Sequence, residues 1–298
     1  MPMGGSEILY TRLLKLVDVS SINLILSICH PSLLSSDKPN VLWQHLNHNE
    51  ENVALLADQN FVNRLDAIVF VSHWQHEKFR KRFPLDSVRC YVIQNAVDWL
   101  KPVEKPEKIK LIYTSTPWRG LNVFVEVLKK LDRDVDVEIY SGTSIYGPQF
   151  HESVKDRFQD LYDDINRIGV RRIEYAPNSL VRNAVRSSHI LAYPSTFEET
   201  SCLAAIEALS DGCKVVTTNF GALYETCGVW ADYVPISNDL VERYTKVLRE
   251  NIDQYWNKKE ERFEQQEHYK KYWSWDARSH QWKKLIEEIN DGKSNNYT

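Results

Sequence analysis

Two glutamates, Glu199 and Glu207, have the spacing best suited to chemistry, because they lie on either side of a predicted strand-to-helix turn. The apolar run at 190–193 predicts a strand that ends at a proline, and the residues from Cys202 onward have helical composition. Unpaired N–H groups at a helix N-terminus bind phosphate. One carboxylate would therefore precede a phosphate site, and the other would lie about two turns inside the helix. A nucleotide sugar has the matching order of hexose diol, diphosphate and ribose diol.

The same spacing also has a simpler explanation. The stretch 195–198 matches a capping box, and a glutamate in a helix is most often a solvated surface residue. Short motifs also match by accident. The spacing alone therefore leaves a ligand site and a capped surface helix both open.

The composition disfavours several classes of protein. The chain of 298 residues is 43% hydrophobic, enough for two modest cores, since a domain usually holds about 100–150 residues. A net charge of −4 argues against a surface that attracts nucleic acid as a whole. We expect neither a membrane span, which needs ~18 apolar residues, nor a signal peptide. Five scattered cysteines favour a reducing compartment, so the expected location is cytoplasmic.

Apolar runs alternate with helical stretches throughout the second half, which predicts a parallel sheet covered by helices on both faces. Such a sheet binds ligands at the carboxyl ends of its strands. Small and polar residues, Gly142 among them, follow those ends and are expected to contact a ligand. The strands are predicted at 110–115, 135–140, 172–175, 190–193 and 214–218, with helices beginning near Leu121, Glu152, Ser179 and Ser201.

Several segments of the chain occur in an order that matches the motifs of a known enzyme family. Glu199 and Glu207 form a Glu-x7-Glu pattern, a glycine-containing stretch follows at 211–225, and Ala96 lies in a segment that reads Asn-Ala-Val-Asp. With the glycine loop at 4–7, these segments resemble those of the large family-4 glycosyltransferases, which are retaining enzymes of the GT-B fold. The resemblance covers nearly the whole chain and is most specific between residues 188 and 225.

The resemblance implies an α/β fold of the GT-B type, in which two Rossmann-like domains face a cleft. We predict an acceptor-side domain at 1–100, a nucleotide-sugar-binding domain at 101–272, and a C-terminal helix at 273–298 that returns to the first domain. The linker is expected at 100–108, where two prolines and alternating charges interrupt the apolar pattern. By this resemblance, the first domain is expected to be short and to lack the strand that usually leads into the glycine loop.

The resemblance also implies a role for each matching residue. Glu199 would bind hydroxyls of the donor sugar, and Glu207 would bind the ribose hydroxyls. Arg119 would stabilise charge on the leaving phosphate, although Thr114 stands where the family has a second cation. The catalytic set would be Glu199, His45 and Arg119, and the donor-binding set would be Glu207, Thr200, Ser201, Cys202, Leu203, Gly142, Gly4 and Gly5.

The expected reaction moves a sugar from a nucleoside-diphosphate sugar to a glycan or lipid-linked acceptor, with retention of configuration. No cofactor and no metal are expected, since side chains and a helix terminus would neutralise the diphosphate. His45, at the end of a predicted strand at 40–45, would lie by the reacting sugar. His48 is the second candidate for this role.

Three alternatives stay open at this stage. The pairs His45-x-x-His48 and His73-x-x-His76 could bind metal in a hydrolase. The short first domain would also suit an inactive module that binds nucleotide sugar. The stretch 76–83, basic with aromatic ends, could contact anionic lipid at a membrane surface, or could be a solvated helix with two core phenylalanines.

Overall fold

The computed structural model describes residues 4–294, and it describes the side chains of residues 4–292. The described chain divides into two units. The C-terminal unit comprises residues 97–198 and 202–272, together with Gly4. The N-terminal unit comprises residues 5–96, the short segment 199–201, and the chain from residue 273 onward.

The N-terminal unit contains a sheet of four parallel strands in the order β1-β2-β3-β4. The two central strands, β2 and β3, are fully buried, as expected for a parallel sheet that is covered on both faces, while the edge strands β1 and β4 are half-buried. The strands are β1 (Asn23–Leu26), β2 (Asn40–Gln44), β3 (Ala67–Phe70) and β4 (Arg89–Val92), and the helices are α1 (Gly5–Leu16), α2 (Gln59–Val62) and α3 (His73–Arg82). The strands predicted near residues 40 and 67, and the helix after the second of them, are confirmed.

The C-terminal unit contains six parallel strands in the order β10-β9-β8-β5-β6-β7. All five strands predicted for the second half are confirmed to within two residues at each end. The strands are β5 (Lys110–Thr114), β6 (Asp136–Tyr140), β7 (Arg171–Ile173), β8 (Ile190–Tyr193), β9 (Lys214–Thr217) and β10 (Ala231–Tyr233). The helices are α4 (Leu121–Lys130), α5 (Pro148–Val154), α6 (Gln159–Arg167), α7 (Asn178–Arg186), α8 (Leu203–Ser210), α9 (Leu223–Cys227), α10 (Leu240–Gln254) and α11 (Lys259–Tyr272).

This strand order is that of a doubly wound nucleotide-binding sheet. The chain starts at β5, builds outward through β6 and β7, then returns to the other side of β5 and continues through β8, β9 and β10. The order therefore reverses between β5 and β8, and ligands bind such sheets beyond the carboxyl ends of the strands at that point.

The last helix, α12 (Trp275–Ser294), belongs to the N-terminal unit. Trp282 on α12 is almost fully buried and its ring lies 4.9 Å from that of Trp43 on β2, edge to face. An aromatic pair of this geometry adds about 0.5–1.5 kcal/mol beyond its buried area. The contact between these rings packs the end of the chain onto a strand formed near its beginning.

Helix α3 carries the basic stretch that the sequence singled out. Phe79 and Phe83 are both in the core of the N-terminal unit, whereas Arg80, Lys81 and Arg82 are exposed. The aromatic side chains of this stretch therefore stabilise the unit itself. Within residues 4–294, no helix is both long enough and apolar enough to span a bilayer.

Candidate functional site

The turn between β5 and α4 lies against the segment that follows β8, at the place where the strand order reverses. Gly120 is the N-cap of α4 and has a φ of 94°. A Cβ at this position would lie only 2.0 Å from the backbone oxygen of Pro194. Only glycine fits this approach, so the two turns that flank the switch point are held in close contact.

Arg119 precedes that glycine, as the sequence predicted. Its guanidinium carbon lies 4.1 Å from the centre of the Phe197 ring, which is a cation–π contact. Its backbone N–H donates to the carbonyl of Thr116 at 3.2 Å. The Arg119 side chain therefore lies in the turn after β5, against Phe197 in the segment that follows β8.

Helix α8 begins later than the sequence suggested. Cys202 is its N-cap and Leu203 is its first residue, so Thr200 and Ser201 precede the helix rather than start it. Glu207 lies about 6 Å along the axis from Leu203, at 1.5 Å per residue, instead of two turns inside. The capping-box alternative is wrong, because residues 195–198 lie outside any helix and the Ser195 hydroxyl bonds within its own turn, to Phe197.

The start of α8 has the features of an anion site. Within the described chain, Cys202 provides no side-chain hydrogen bond to the first turn. The first N–H groups of a helix lack intrahelical partners, and the helix dipole favours negative charge there. A phosphate at this position stays a prediction.

Glu207 lies in a buried cluster of charged side chains. An Arg182 guanidinium nitrogen is 3.8 Å from Glu207 Oε1, and Asn178 Nδ2 donates to the same oxygen at 3.5 Å. Burial, opposed in part by Arg182, raises the pKa of Glu207 to about 7. The solvated-surface alternative is therefore wrong for this glutamate, which is 7% exposed.

Asp211 holds the arginine of that cluster. Nη2 of Arg182 lies 3.1 Å from both carboxylate oxygens of Asp211, and Nε donates to one of them at 3.3 Å. Arg182 and Asp211 are both buried. Arg182 was not predicted from the sequence, where its only signal was its place three residues before Val185, on the buried face of α7.

The segment 199–201 is fixed by three hydrogen bonds inside the N-terminal unit. Thr200 donates its hydroxyl to the backbone oxygen of His45 at 2.8 Å, and its own carbonyl accepts from the Ser72 hydroxyl at 2.7 Å. Asn95 Nδ2 donates to the Ser201 hydroxyl at 3.1 Å. Glu199, at the start of the segment, is 1% exposed. The structure therefore brings two predicted site residues, His45 and Thr200, together.

His45 follows β2 directly, as predicted. The residue as a whole keeps some exposure, but its Nε2 is enclosed and has no hydrogen-bond partner among the described residues. Burial lowers the pKa of His45 to about 3, so the ring is neutral at physiological pH. The ring centroid lies 4.6 Å from that of Trp43. A neutral imidazole can donate a hydrogen bond to a ligand through its N–H, or accept one from a ligand at its other ring nitrogen.

The predicted glycines differ in what surrounds them. A Cβ on Gly142 would lie 2.1 Å from the carbonyl oxygen of Glu174, so close packing against the residue that follows β7 explains this glycine without a ligand. Gly5 is the first residue of α1, and Gly4 precedes it. Their predicted contact with a donor stays a prediction.

The four-histidine metal site of the alternative hydrolase hypothesis is not formed. Across residues 4–294, no three side chains of the His, Cys, Asp or Glu type converge in a group that could hold a metal ion. The histidines at 45, 48, 73 and 76 are all in the described part of the chain.

No family model matches this sequence, and no curated protein matches it. Solved structures do match. A sucrose-phosphate synthase from Thermosynechococcus elongatus superposes with a TM-score of 0.70 at 13% identity, covering 86% of this chain and 69% of that one. A glycosyltransferase from Rickettsia africae gives 0.66 at 16% identity, covering 95% and 80%. HepE from Anabaena, in complex with UDP and glucose, gives 0.68 at 16% identity, covering 97% and 84%.

These structural neighbours are glycosyltransferases, and the likeness at such identities shows the fold. The protein has the GT-B architecture, with two Rossmann-like α/β units that each contain a parallel sheet. The predicted fold class is confirmed.

Proposed function

We propose that the protein is a glycosyltransferase that moves a sugar from a nucleoside-diphosphate sugar to an acceptor, with retention of configuration and without a metal. The observation that carries the proposal is the arrangement at the β5–β8 switch point. There the Gly120 turn meets Pro194, and the next helix, α8, carries the buried carboxylate of Glu207 four residues after its first residue, Leu203.

The donor would bind at the carboxyl edge of the C-terminal unit. The N-terminal amides of α8 would receive the diphosphate. Glu207 would accept hydrogen bonds from the ribose hydroxyls, and Arg119, held over Phe197, would stabilise the charge that develops on the leaving phosphate. Because two solved neighbours of HepE type contain UDP or UDP-glucose, UDP-sugars are the first donors to test.

The N-terminal unit would provide the acceptor side. His45 is neutral and partly exposed, and its imidazole would form a hydrogen bond with a hydroxyl of the reacting sugar. The hydrogen bond between Thr200 and the His45 carbonyl would keep that histidine loop in register with Glu199. Glu199 would bind the hydroxyls of the transferred sugar.

A thermal-shift screen against nucleoside diphosphates and their sugars tests the donor. A ligand at 100 times its dissociation constant adds about 2.7 kcal/mol to the free energy of unfolding, which gives a clear rise in melting temperature. Stabilisation by one nucleoside class and its sugar supports the proposal. No stabilisation by any nucleotide sugar at millimolar concentration contradicts it.

Isosteric variants separate the roles of the two glutamates. Glu207→Gln should weaken nucleotide binding, while Glu199→Gln should lower turnover with little change in nucleotide affinity. Glu198→Gln is the matched control, because Glu198 adjoins Glu199 but is partly exposed. Equal effects of all three variants on affinity and rate contradict the assigned roles. Donor binding with no transfer to any acceptor favours the inactive binding module.

Two further measurements test the remaining parts of the proposal. NMR of the product should show the anomeric configuration of the donor. Activity should survive a chelator, and a loss that magnesium or manganese restores contradicts metal independence.

A further inference from the structure

Glu207 shares a single arginine with a second acid. Three charged groups, Glu207, Asp211 and Arg182, are buried together in the C-terminal unit, and each residue is less than 10% exposed. The two acids are four residues apart on the same side of α8 and its C-cap, and the arginine reaches them from α7. One guanidinium therefore faces two carboxyl groups away from water.

Arg182 contacts Asp211 more closely than it contacts Glu207. Asp211 receives Nη2 at 3.1 Å on both oxygens and Nε at 3.3 Å, while Glu207 has a single contact of 3.8 Å. Charge-assisted, two-pronged contacts of this kind are the stronger ones. Arg182 therefore stabilises the carboxylate of Asp211 more than that of Glu207, whose ionised form depends on the weaker contact.

Other charged groups around the cluster act mainly on Asp211. Lys105 from the linker and Arg186 from α7 both favour the charged form of Asp211. On Glu207, Arg182 and the amide of Asn178 favour the carboxylate, and the charge of Asp211 opposes it. Burial is the largest influence on both acids and raises the pKa of each.

We propose that Arg182, held by Asp211, is a positioning residue that sets the protonation of Glu207 and thereby makes binding of the nucleotide ribose dependent on pH. This inference rests on the proposed function. An ionised carboxylate can accept hydrogen bonds from both hydroxyls of a ribose diol, whereas a protonated carboxyl must use one oxygen as a donor. Donor binding should then release a proton from Glu207 when the pH is near or below neutrality.

The expected pH dependence can be measured with UDP-glucose. Its pyrophosphate is a diester and does not titrate near neutral pH, unlike a terminal phosphate, whose second pKa is about 6. With the pKa of Glu207 raised to about 7, affinity at pH 6 should be about tenfold weaker than at pH 8. Calorimetry in buffers of different ionisation enthalpy should show proton release near pH 6.5.

Variants of the two partners should shift the midpoint of this profile in opposite directions. Asp211→Asn removes the competing acid and frees Arg182 for Glu207, so the midpoint should move to lower pH. Arg182→Gln removes the cation, so the midpoint should move to higher pH, and Arg182→Lys should fall between Arg182→Gln and the wild type. A merely structural role would lower melting temperature and affinity at every pH without moving the midpoint.

Two controls test whether the pH dependence of donor binding arises from Glu207 and from the ribose hydroxyls. Glu207→Gln should bind weakly with a flat pH profile, and the 2′-deoxyribose analogue of UDP-glucose should lose the pH dependence in the wild type. If Arg182→Gln fails to fold, Asp211→Asn and Arg182→Lys decide the matter.

The outcomes distinguish this inference from the proposed function. Binding of UDP-glucose with equal affinity at pH 6 and pH 8 overturns the inference and leaves the proposed function intact. Binding of no nucleotide sugar overturns both. An NMR titration of labelled glutamate in the free protein, compared with Glu207→Gln, gives the Glu207 midpoint directly, and a midpoint below 5 also refutes the inference.

Discussion

The side-chain hydroxyl of Thr200 donates a hydrogen bond of 2.8 Å to the backbone carbonyl of His45, which is 155 residues earlier in the chain. Both residues are in the N-terminal unit, although Thr200 follows strands of the C-terminal unit in sequence. The Ser72 hydroxyl holds the carbonyl of the same threonine at 2.7 Å. Thr200 is therefore fixed within the N-terminal unit by the His45 carbonyl and by Ser72, the N-cap of α3.

Thr200→Val should destabilise the protein by about 1–2 kcal/mol, because the carbonyl of His45 loses its donor while the shape of the side chain is kept. Thr245→Val is the matched control. Thr245 is also buried and donates to a backbone carbonyl, but that carbonyl is within its own helix. Chemical denaturation measures both. Equal losses in the two variants would show that the contact with His45 adds nothing specific.

Gly120→Ala should cost about 3 kcal/mol or more, since a left-handed residue and a backbone clash are imposed together. The added Cβ would be 2.0 Å from the Pro194 oxygen, which is backbone and cannot move aside. Gly169→Ala supplies the comparison, because Gly169 has a φ of 72° with open space around it. That control should lose only about 1–2 kcal/mol. Similar melting temperatures for both variants would refute the close approach at the switch point.

His189 should make the fold sensitive to acid. Its Nδ1 accepts from the backbone N–H of Lys110 at 2.9 Å, and its Nε2 lies 3.0 Å from the carbonyl of Pro106, so the folded ring is neutral. Burial, with the nearby charge of Lys105, lowers the pKa of His189 to about 4. An unfolded histidine has a pKa of about 6.5.

Between pH 6.5 and pH 4 the unfolded chain therefore binds the extra proton. The free energy of unfolding should fall with decreasing pH in this range, by up to ~1.4 kcal/mol per pH unit from this one group. His189→Gln should show a shallower slope in urea denaturation between pH 6.5 and 4.5. The exposed His280→Gln should keep the wild-type slope, and an unchanged slope for His189→Gln would refute the prediction.

The free thiols should resist modification while the protein is folded. Four of the five cysteines are buried, and burial raises the pKa of Cys29 to about 12 and that of the half-buried Cys90 to about 11. Thiols react as thiolates, so all should react slowly with Ellman's reagent at pH 8. After denaturation, five thiols per chain should react at once. Rapid reaction of two or more in the native protein would contradict the packing around them.

The sequence predicted five of the six strands of the C-terminal sheet, whereas β10 (Ala231–Tyr233), a short strand with an aspartate at its centre, was not predicted. The central strands β5, β8 and β9 are short, mostly apolar runs bounded by turn residues, and local composition is enough to recognise such runs. Glu207 was found in the same way, through its fixed distance along the chain from Glu199. The local pattern defines the start of a helix less clearly than it defines a strand, and the start of α8 was therefore predicted too early.

Only the tertiary structure decided which residues surround those glutamates. Arg182 and Asp211 are 29 residues apart, and Thr200 and His45 are 155 apart. Their contacts depend on how α7 packs beside α8 and on how residues 199–201 lie in the N-terminal unit. A side chain's spacing along the chain fixes its neighbours within one helix or strand, but packing between distant segments determines its burial, its partners and its protonation.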